Sequence, residues 1–365
     1  MRVQSDPTLS AGTPTDDPAQ PQSGPGPRPV PSPLRRAARM ALVALGGVLL
    51  AVVAFAGFLL LKPVDMPSAA AEPRPALSFD EATARLDEVA RREAGQDLIP
   101  ECRSKLLASG ERTARAIVLF HGYTNCPAMF VKLGEELAAR GYNVYIPLAP
   151  EHGGSDREHT TLANLTTEEL IAHANESVDI AGGLGDDVTV LGLSGGGAIA
   201  AYLAQFREDV DLAVTIAPFF GLRSVPAPLT AALVNLADLL PPFAWGIPEA
   251  MASGSGQYAP YAGLDQNTRS AAAYMRLGQM ILADAASSPH GAGRTVTVVN
   301  EGDDTVNNGL ADELTTRWRE LVSDTTAEYR FPASLVLPHD LIGPDRVDQR
   351  TSEVYPVLLD LLGAP

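Results

Sequence analysis

The sequence predicts an α/β protein with a mostly parallel sheet, helices on both faces of the sheet, and one transmembrane helix before it. Three observations lead to this prediction. Strand-like and helical runs alternate from residue 115 to the C-terminus, which is typical of a parallel sheet with crossover helices. An uncharged run of 22 residues lies near the N-terminus. A Gly-x-Ser-x-Gly pattern at residues 192–196 separates one strand-like run from a helical one.

The first segment, residues 1–39, is rich in Pro, Gly, Ser and Asp. Such a composition buries too little apolar surface to offset the entropy lost on ordering, so we predict a disordered tail. A Pro-rich docking motif is the alternative interpretation.

The second segment, residues 40–61, reads MALVALGGVLLAVVAFAGFLLL. As a helix it spans roughly 33 Å at about 1.5 Å per residue, enough to cross a bilayer. Three arginines precede it, so the positive-inside rule predicts a cytoplasmic N-terminus and an extracytoplasmic remainder. A cleaved signal peptide is the alternative, because Ala69–Ala71 resembles a cleavage site. The run exceeds the ~7–15 apolar residues of a signal peptide, which favours a retained anchor.

A Pro/Ala linker at residues 62–76 leads to one domain at residues 77–365. An amphipathic helix is predicted over residues 78–92. Strands are predicted at 116–120, 142–148, 188–193, 211–218, 295–301 and 327–337, and helices at 130–141, 165–181, 196–206, 307–322 and 352–362. Residues 222–293 interrupt this alternation with Pro-Pro and a Gly/Ser/Tyr-rich stretch. We interpret them as an irregular insertion forming a cap or lid.

The charge is unevenly distributed along the chain. Five arginines and three aspartates give residues 1–61 a net charge of +2. The whole chain has a net charge of −17, so residues 62–365 have a net charge of −19. A body this acidic repels nucleic acid and anionic lipid headgroups, which excludes nucleic acid as a partner.

The chain has only two cysteines, Cys102 and Cys126, which excludes a disulfide-rich scaffold. No Cys/His cluster has zinc-ligand spacing, and the six histidines form no HExxH pattern. We therefore predict neither a metal nor a cofactor. Both cysteines follow the apolar run and fall on the predicted outer side, where a disulfide forms readily. Two unrelated cysteines are the alternative.

The pattern Gly192-x-Ser194-x-Gly196 follows the strand-like VTVLGL and precedes the helical GGAIAAYLA. This context is typical of a nucleophile elbow, a tight turn that strains the serine and needs small neighbours. The N-terminus of the following helix favours negative charge beside the serine. We therefore predict Ser194 as a nucleophile, with a purely structural turn as the alternative.

An acyl-transferring serine needs two backbone N–H groups for the developing oxyanion. In an elbow one comes from the residue after the nucleophile, here Gly195. The other comes from the loop after an earlier strand. In the stretch IVLFHGYT at residues 117–124, that donor is predicted to be Tyr123.

Five motifs, in chain order, resemble the carboxylesterase and monoacylglycerol-lipase branch of the α/β-hydrolases: FHGYTNCP, YIPLAPEHGGSD, GLSGGG, NEGDDTVN and LPHD. The resemblance runs from about residue 115 to the C-terminus and leaves out the insertion. It implies that the nucleophile, the acid and the histidine follow one another in that order.

Only two histidines follow Ser194, namely His290 and His339. His290 precedes the predicted acid and is interpreted as a surface-loop residue, so His339 is the predicted base. The family pattern selects Asp303 as the acid, with Asp304 as the alternative. Three further residues near these motifs are interpreted as structural: His121, His152 and Asp340.

These residues predict hydrolysis of a carboxylic ester through an acyl-enzyme, with no cofactor. The expected substrate is a small-molecule or lipid ester, and the membrane helix favours acyl lipids. Two alternatives stay open, an acyltransferase with the same triad and a non-catalytic membrane-anchored binding protein. The sequence predicts no oligomeric state.

Overall fold

One long helix, α1 (Pro33–Leu61), begins the described part of the chain. The computed structural model describes residues 33–68, 72–155, 160–246, 259–263 and 265–364. It divides into two compact units, Met1–Ala54 and Phe55–Pro365. The predicted disordered tail therefore lies outside the described residues up to residue 32, and so does the Ala69–Ala71 segment.

Helix α1 starts seven residues before the predicted apolar helix, which corrects the tail boundary at residue 39. Proline is tolerated in the first turn of a helix, and the Leu, Arg and Ala residues after Pro33 are good helix formers. The helix is almost entirely exposed, with a mean hydropathy of 2.6 over its most apolar window. It is long and apolar enough to cross a membrane, a property that anchors and signal sequences share.

The second unit contains a seven-stranded sheet. Its strands are β1 (Lys105–Leu107), β2 (Thr113–Phe120), β3 (Asn143–Ile146), β4 (Gly185–Leu193), β5 (Leu212–Ile216), β8 (Thr295–Asn300) and β9 (Thr326–Phe331). They lie in the order β1-β3-β2-β4-β5-β8-β9. Only β1 is antiparallel to its neighbour, and the other pairings are parallel. This confirms the predicted fold class. Two short strands, β6 (Ala244–Gly246) and β7 (Asp265–Asn267), form a separate pair.

Eight helices follow α1 among the described residues. The longer ones begin at recognisable caps; for example, Thr166 and Glu169 form a reciprocal capping box. Their bounds are α2 (Phe79–Ala94), α3 (Val131–Ala138), α4 (Thr167–Leu184), α5 (Gly195–Phe206), α6 (Thr230–Leu239), α7 (Thr268–Ala285), α8 (Asn308–Val322) and α9 (Thr351–Leu361).

Two regions differ from the sequence expectations. The strand predicted at 327–337 ends at Phe331, because Pro332 has no N–H to donate to the sheet. The region 222–293 is not simply irregular. It contains α6 and α7, and α7 buries much of its length and contacts α5. Its role as a cap stays a prediction, and much of its Gly/Ser/Tyr-rich stretch lies outside the described residues.

Strand β4 lies at the centre of the sheet between β2 and β5. Near its carboxyl end Gly192 lies opposite Phe120 of β2, and Leu193 opposite Ile216 of β5. Because these strands are parallel, the segments that leave them emerge side by side at one edge. In open α/β sheets this edge is where ligands bind.

A disulfide joins Cys102 and Cys126, in agreement with the sequence prediction, and both cysteines are fully buried. It connects the segment before β1 to the loop after β2. That loop also carries Tyr123, so the bridge restrains backbone next to the predicted site.

We expect reduction of this disulfide, or the substitution Cys126→Ser, to lower the melting temperature. The closed loop is about 25 residues long and stabilises the fold by roughly 3–3.5 kcal/mol in the chain-entropy model. Turnover of an ester should fall as well, because the Tyr123 backbone loses a restraint. Thermal melts and ester assays with and without reductant measure both effects.

The control for this experiment is the double variant Cys102→Ser/Cys126→Ser, whose melting temperature should not respond to reductant. Two free thiols in the unreduced, exported protein would contradict the bridge.

Candidate active site

Ser194 lies in the turn between β4 and α5 with a φ of 58° and a ψ of −113°. Non-glycine residues rarely adopt a positive φ, and such strain costs on the order of 1–3 kcal/mol. Three backbone hydrogen bonds hold this conformation. The N–H of Ser194 donates to the Ile216 carbonyl at 2.9 Å, and its carbonyl accepts from Phe219 and Ala198 at 2.9 Å each.

The two glycines around Ser194 are required by close backbone contacts. A Cβ atom on Gly192 would lie 1.9 Å from the Gly196 carbonyl oxygen, and one on Gly196 would lie 2.0 Å from the Phe120 carbonyl oxygen. No side chain fits at either distance. The turn therefore has the geometry that the sequence pattern predicts for a nucleophile elbow.

The loop after β2 reaches the first turn of α5 beside Ser194. A Cβ atom on Gly195 would lie 3.1 Å from the Tyr123 nitrogen, and one on Gly122 would lie 3.7 Å from the Ser194 Cβ. The backbone nitrogen of Tyr123 thus lies close to Gly195. The N-terminal end of α5 adds a partial positive charge at the same place. This arrangement can stabilise negative charge that develops near Ser194.

Several polar contacts hold the backbone of Tyr123. Its hydroxyl hydrogen-bonds Ser270 Oγ at 2.6 Å and accepts from the Asn267 N–H at 2.8 Å. Its carbonyl lies 2.8 Å from His152 Nε2, while His152 Nδ1 lies 2.7 Å from the Pro150 carbonyl. His121 Nε2 accepts from the Ala149 N–H at 3.0 Å. His121 and His152 therefore form hydrogen bonds with the backbone of these loops.

Tyr274 of α7 is a neighbour of this site that the sequence analysis missed. Its ring lies over Gly195, where an added Cβ would be 2.9 Å from Tyr274 Cε1. It also packs edge-on against Tyr123, with ring centroids 5.4 Å apart. The hydroxyl has no hydrogen-bond partner among the described residues, and burial raises the pKa of Tyr274. No local pattern in the sequence identifies Tyr274 as a neighbour of Gly195.

Asp303 and His339 form a hydrogen-bonded pair. His339 Nδ1 donates to Asp303 Oδ2 at 2.6 Å. The other carboxylate oxygen accepts from the N–H groups of Thr305 at 2.8 Å and Val306 at 3.2 Å. Burial alone raises the pKa of Asp303, but the hydrogen bond and charge of His339 and the two N–H groups outweigh it, so the pKa is lowered. The carboxylate is therefore ionised at neutral pH and keeps the proton of the imidazole on Nδ1.

The alternative acid, Asp304, is exposed, and its carboxylate accepts from the Thr305 hydroxyl at 3.2 Å. Asp340 binds elsewhere: it accepts from Asn125 Nδ2 at 3.0 Å and from the Gly343 N–H at 2.9 Å. The carboxylate that meets His339 is therefore that of Asp303.

His290 is buried rather than exposed on a surface loop, which corrects the sequence expectation. Its Nδ1 donates to the Ala292 carbonyl at 2.9 Å, and its ring packs edge-on against Trp318 at 5.5 Å. A short turn folds the imidazole under α8. The residue lies in an internal packing contact and not at the site.

The predicted site residues thus form two groups at one edge of the sheet. Ser194, Tyr123 and Gly195 meet after β2 and β4, and Asp303 and His339 meet after β8 and β9. No hydrogen bond joins Ser194 to His339 within the part of the chain that the structure describes. Catalytic hydrogen bonds are often long in free enzymes and tighten only when substrate binds.

A buried amide supports the segment that carries His339. Asn300, the last residue of β8, donates from Nδ2 to the carbonyls of Leu337 and Pro338 at 3.2 Å each. Among the described residues, no three or more His, Cys, Asp or Glu side chains are grouped to hold a metal ion.

Comparison with known proteins gives a family match over residues 117–344, to the alpha/beta hydrolase family. A thermostable monoacylglycerol lipase from Bacillus sp. (strain H-257) is 29% identical over 116 residues. That alignment spans 31% of this chain and 44% of the lipase, less than half the length of this relative.

Two solved structures share the fold. The monoacylglycerol lipase of Paleococcus ferrophilus has a TM-score of 0.54 at 16% identity, over 72% of this chain and 98% of that one. A structure from LipS and LipT, two metagenome-derived lipolytic enzymes, has a TM-score of 0.52 at 16% identity, over 73% of this chain and 99% of that one. The family match covers more than half of the sequence and includes Ser194, Asp303 and His339. The chain therefore belongs to the α/β-hydrolase family.

Proposed function

We propose that the protein is a membrane-anchored serine hydrolase that cleaves carboxylic esters through Ser194, His339 and Asp303. The observation that carries this proposal is the 2.6 Å hydrogen bond between His339 and the buried Asp303 at the sheet edge where the strained Ser194 lies. The likeness to proteins named as monoacylglycerol lipases supports an ester as the substrate.

In the proposed reaction, Ser194 Oγ attacks the acyl carbon while His339 Nε2 accepts the hydroxyl proton. Nε2 is the nitrogen that accepts this proton, because Nδ1 is hydrogen-bonded to Asp303. The carbonyl oxygen becomes an oxyanion, which accepts hydrogen bonds from the Tyr123 and Gly195 N–H groups. His339 then donates its proton to the departing alcohol, leaving an acyl-enzyme. Water, deprotonated by His339, releases the acid and restores Ser194.

The proposed substrates are small-molecule or lipid esters. Retention of α1 as an anchor would place the second unit beside lipid, which favours acyl lipids and amphiphilic esters.

We expect Ser194→Ala to abolish ester hydrolysis while leaving the fold nearly unchanged, because the serine is needed for reactivity and its hydroxyl makes no hydrogen bond in the described structure. Turnover of a short p-nitrophenyl ester should fall by about 10⁴-fold or more. Labelling by a fluorophosphonate should be lost at the same time. The exposed Ser323→Ala is the matched control. Turnover near the parent rate, with an unchanged melting temperature, would exclude Ser194 as nucleophile.

The acid is tested by a pair of neighbouring substitutions. Asp303→Asn should lower kcat by about 10⁴-fold, because an amide no longer holds the productive tautomer of the imidazole. Asp304→Asn should change kcat little, since its exposed carboxylate does not contact His339. Steady-state kinetics of both variants measure the difference. The reverse ranking would move the role to Asp304.

The membrane topology is tested by proteolysis of intact cells. Arginines 35, 36 and 39 precede the apolar run, so the proposed orientation has the second unit outside the cytoplasm. Added protease should digest that unit and spare an N-terminal epitope tag. Protection of the second unit would mean the opposite orientation. Release of soluble protein beginning near Glu72 would indicate a cleaved signal peptide.

A further inference from the structure

The region around α6 presents an apolar surface to solvent. Five large apolar side chains, from the residue before α6 to the middle of β6, are 37–60% exposed. Two of them are aromatic and contact each other, with ring centroids 5.9 Å apart. We call this the α6 surface, and it consists of Leu229, Leu239, Leu240, Phe243 and Trp245.

The α6 surface is also nearly uncharged, in a protein whose body is strongly acidic. From Ala227 to Gly246 the only charged residue is Asp238, and Arg276 forms a salt bridge with it. Exposed apolar patches rimmed by polar residues mark sites of protein or membrane contact. The partner of this surface is therefore apolar and needs no charge of its own.

The last turn of α1 is bonded directly to α6. Asn235 of α6 is fully buried, and its Nδ2 donates to the carbonyls of Leu59 at 3.1 Å and Lys62 at 2.8 Å. Its Oδ1 accepts from Lys62 Nζ at 3.5 Å. Carbonyls at the end of a helix have no partner within the helix, so Asn235 supplies donors that α1 lacks. The α6 surface is thereby held next to the end of the apolar helix.

We infer that the α6 surface lies in the headgroup–acyl boundary of the membrane that α1 crosses. This inference rests on the proposed retention of α1 as an anchor and on no step of the proposed reaction. Lys62 is the first charged residue after the apolar run, so it marks the level at which the chain leaves the hydrocarbon. Residues bonded to Lys62 and Leu59 lie at that level as well.

The composition of the α6 surface suits this depth. Tryptophan is enriched at the membrane–water boundary, where its amphipathic ring lies at headgroup level. Helices that lie in the interface bury an apolar face about 5–10 Å into it. The acidic body repels anionic headgroups, so the lipid surface that fits is a zwitterionic one.

The experiment places the full-length chain in nanodiscs of zwitterionic phosphatidylcholine, with one copy in each disc. The chain has two tryptophans, and Trp318 is fully buried, so the difference between the parent and Trp245→Phe isolates the emission of Trp245. Lipids brominated near the top of the acyl chain should quench that emission by about half or more, as expected for a side chain at interfacial depth. Acrylamide in the aqueous phase should quench it weakly.

A charge introduced into the α6 surface should reduce the quenching. Leu240→Glu should lower quenching of Trp245 by brominated lipid. Leu321→Glu on α8 should not change it, and the parent side chains are comparably exposed at 51% and 43%. Asn235→Ala should also lower it while turnover of a water-soluble ester continues. Loss of the proposed catalysis in Ser194→Ala should leave the quenching as in the parent protein.

Trp245 emission that resists brominated lipid and is quenched freely by acrylamide would overturn the inference. So would protection that appears only with two copies in a disc, since the occupant would then be a second copy of the chain. A chain that fails to enter nanodiscs would overturn the anchoring, and with it this inference, but would leave the proposed ester hydrolysis standing.

Discussion

The site depends on one contact between backbones, at Gly192 and Gly196. The carbonyl of Phe120 lies where a side chain on Gly196 would begin, and the carbonyl of Gly196 lies where one on Gly192 would begin. This contact brings the end of β2 against the first turn of α5. Ser194, between the two glycines, has a positive φ. The same approach brings the backbone of Gly122 and Tyr123 beside Ser194 and Gly195, so the strained turn and the proposed oxyanion donors have a single origin.

The segment that carries His339 is held in part by the loop after β2, which carries Tyr123. Asp340 follows His339 and accepts from Asn125, which lies two residues after Tyr123. The next residue, Cys126, carries the disulfide to Cys102. The loop with the proposed oxyanion donor Tyr123 and the loop with the proposed base His339 therefore share these supports. A change in either support should affect turnover and stability together, whereas a change at Ser194 should affect turnover alone.

The parts of the structure that were predictable have local signals. An apolar strand, two glycines around a serine and a following helix identify the elbow, and Pro332 marks a strand end that the sequence analysis placed too late. The neighbours of the site have no such signal. Tyr274 covers Gly195 from 79 residues away, Asn235 meets Lys62 from 173 residues away, and His290 packs under Trp318. Each of these contacts depends on how the helices pack on the sheet. Neither the periodicity nor the spacing of residues indicates which distant side chain will make the contact.

The acidic body and the α6 surface impose opposite requirements on membrane contact. The residues after 61 have a net charge of −19, so anionic lipid repels them. This repulsion acts over about one Debye length, which is ~8 Å at physiological salt. The proposed contact of the α6 surface with lipid must therefore rest on apolar burial. Burial at the end of a helix would ordinarily leave carbonyls without donors, at a cost of about 1–3 kcal/mol for each unsatisfied group. Asn235 removes that cost by donating to two of them, which allows an uncharged surface to continue directly from the helix.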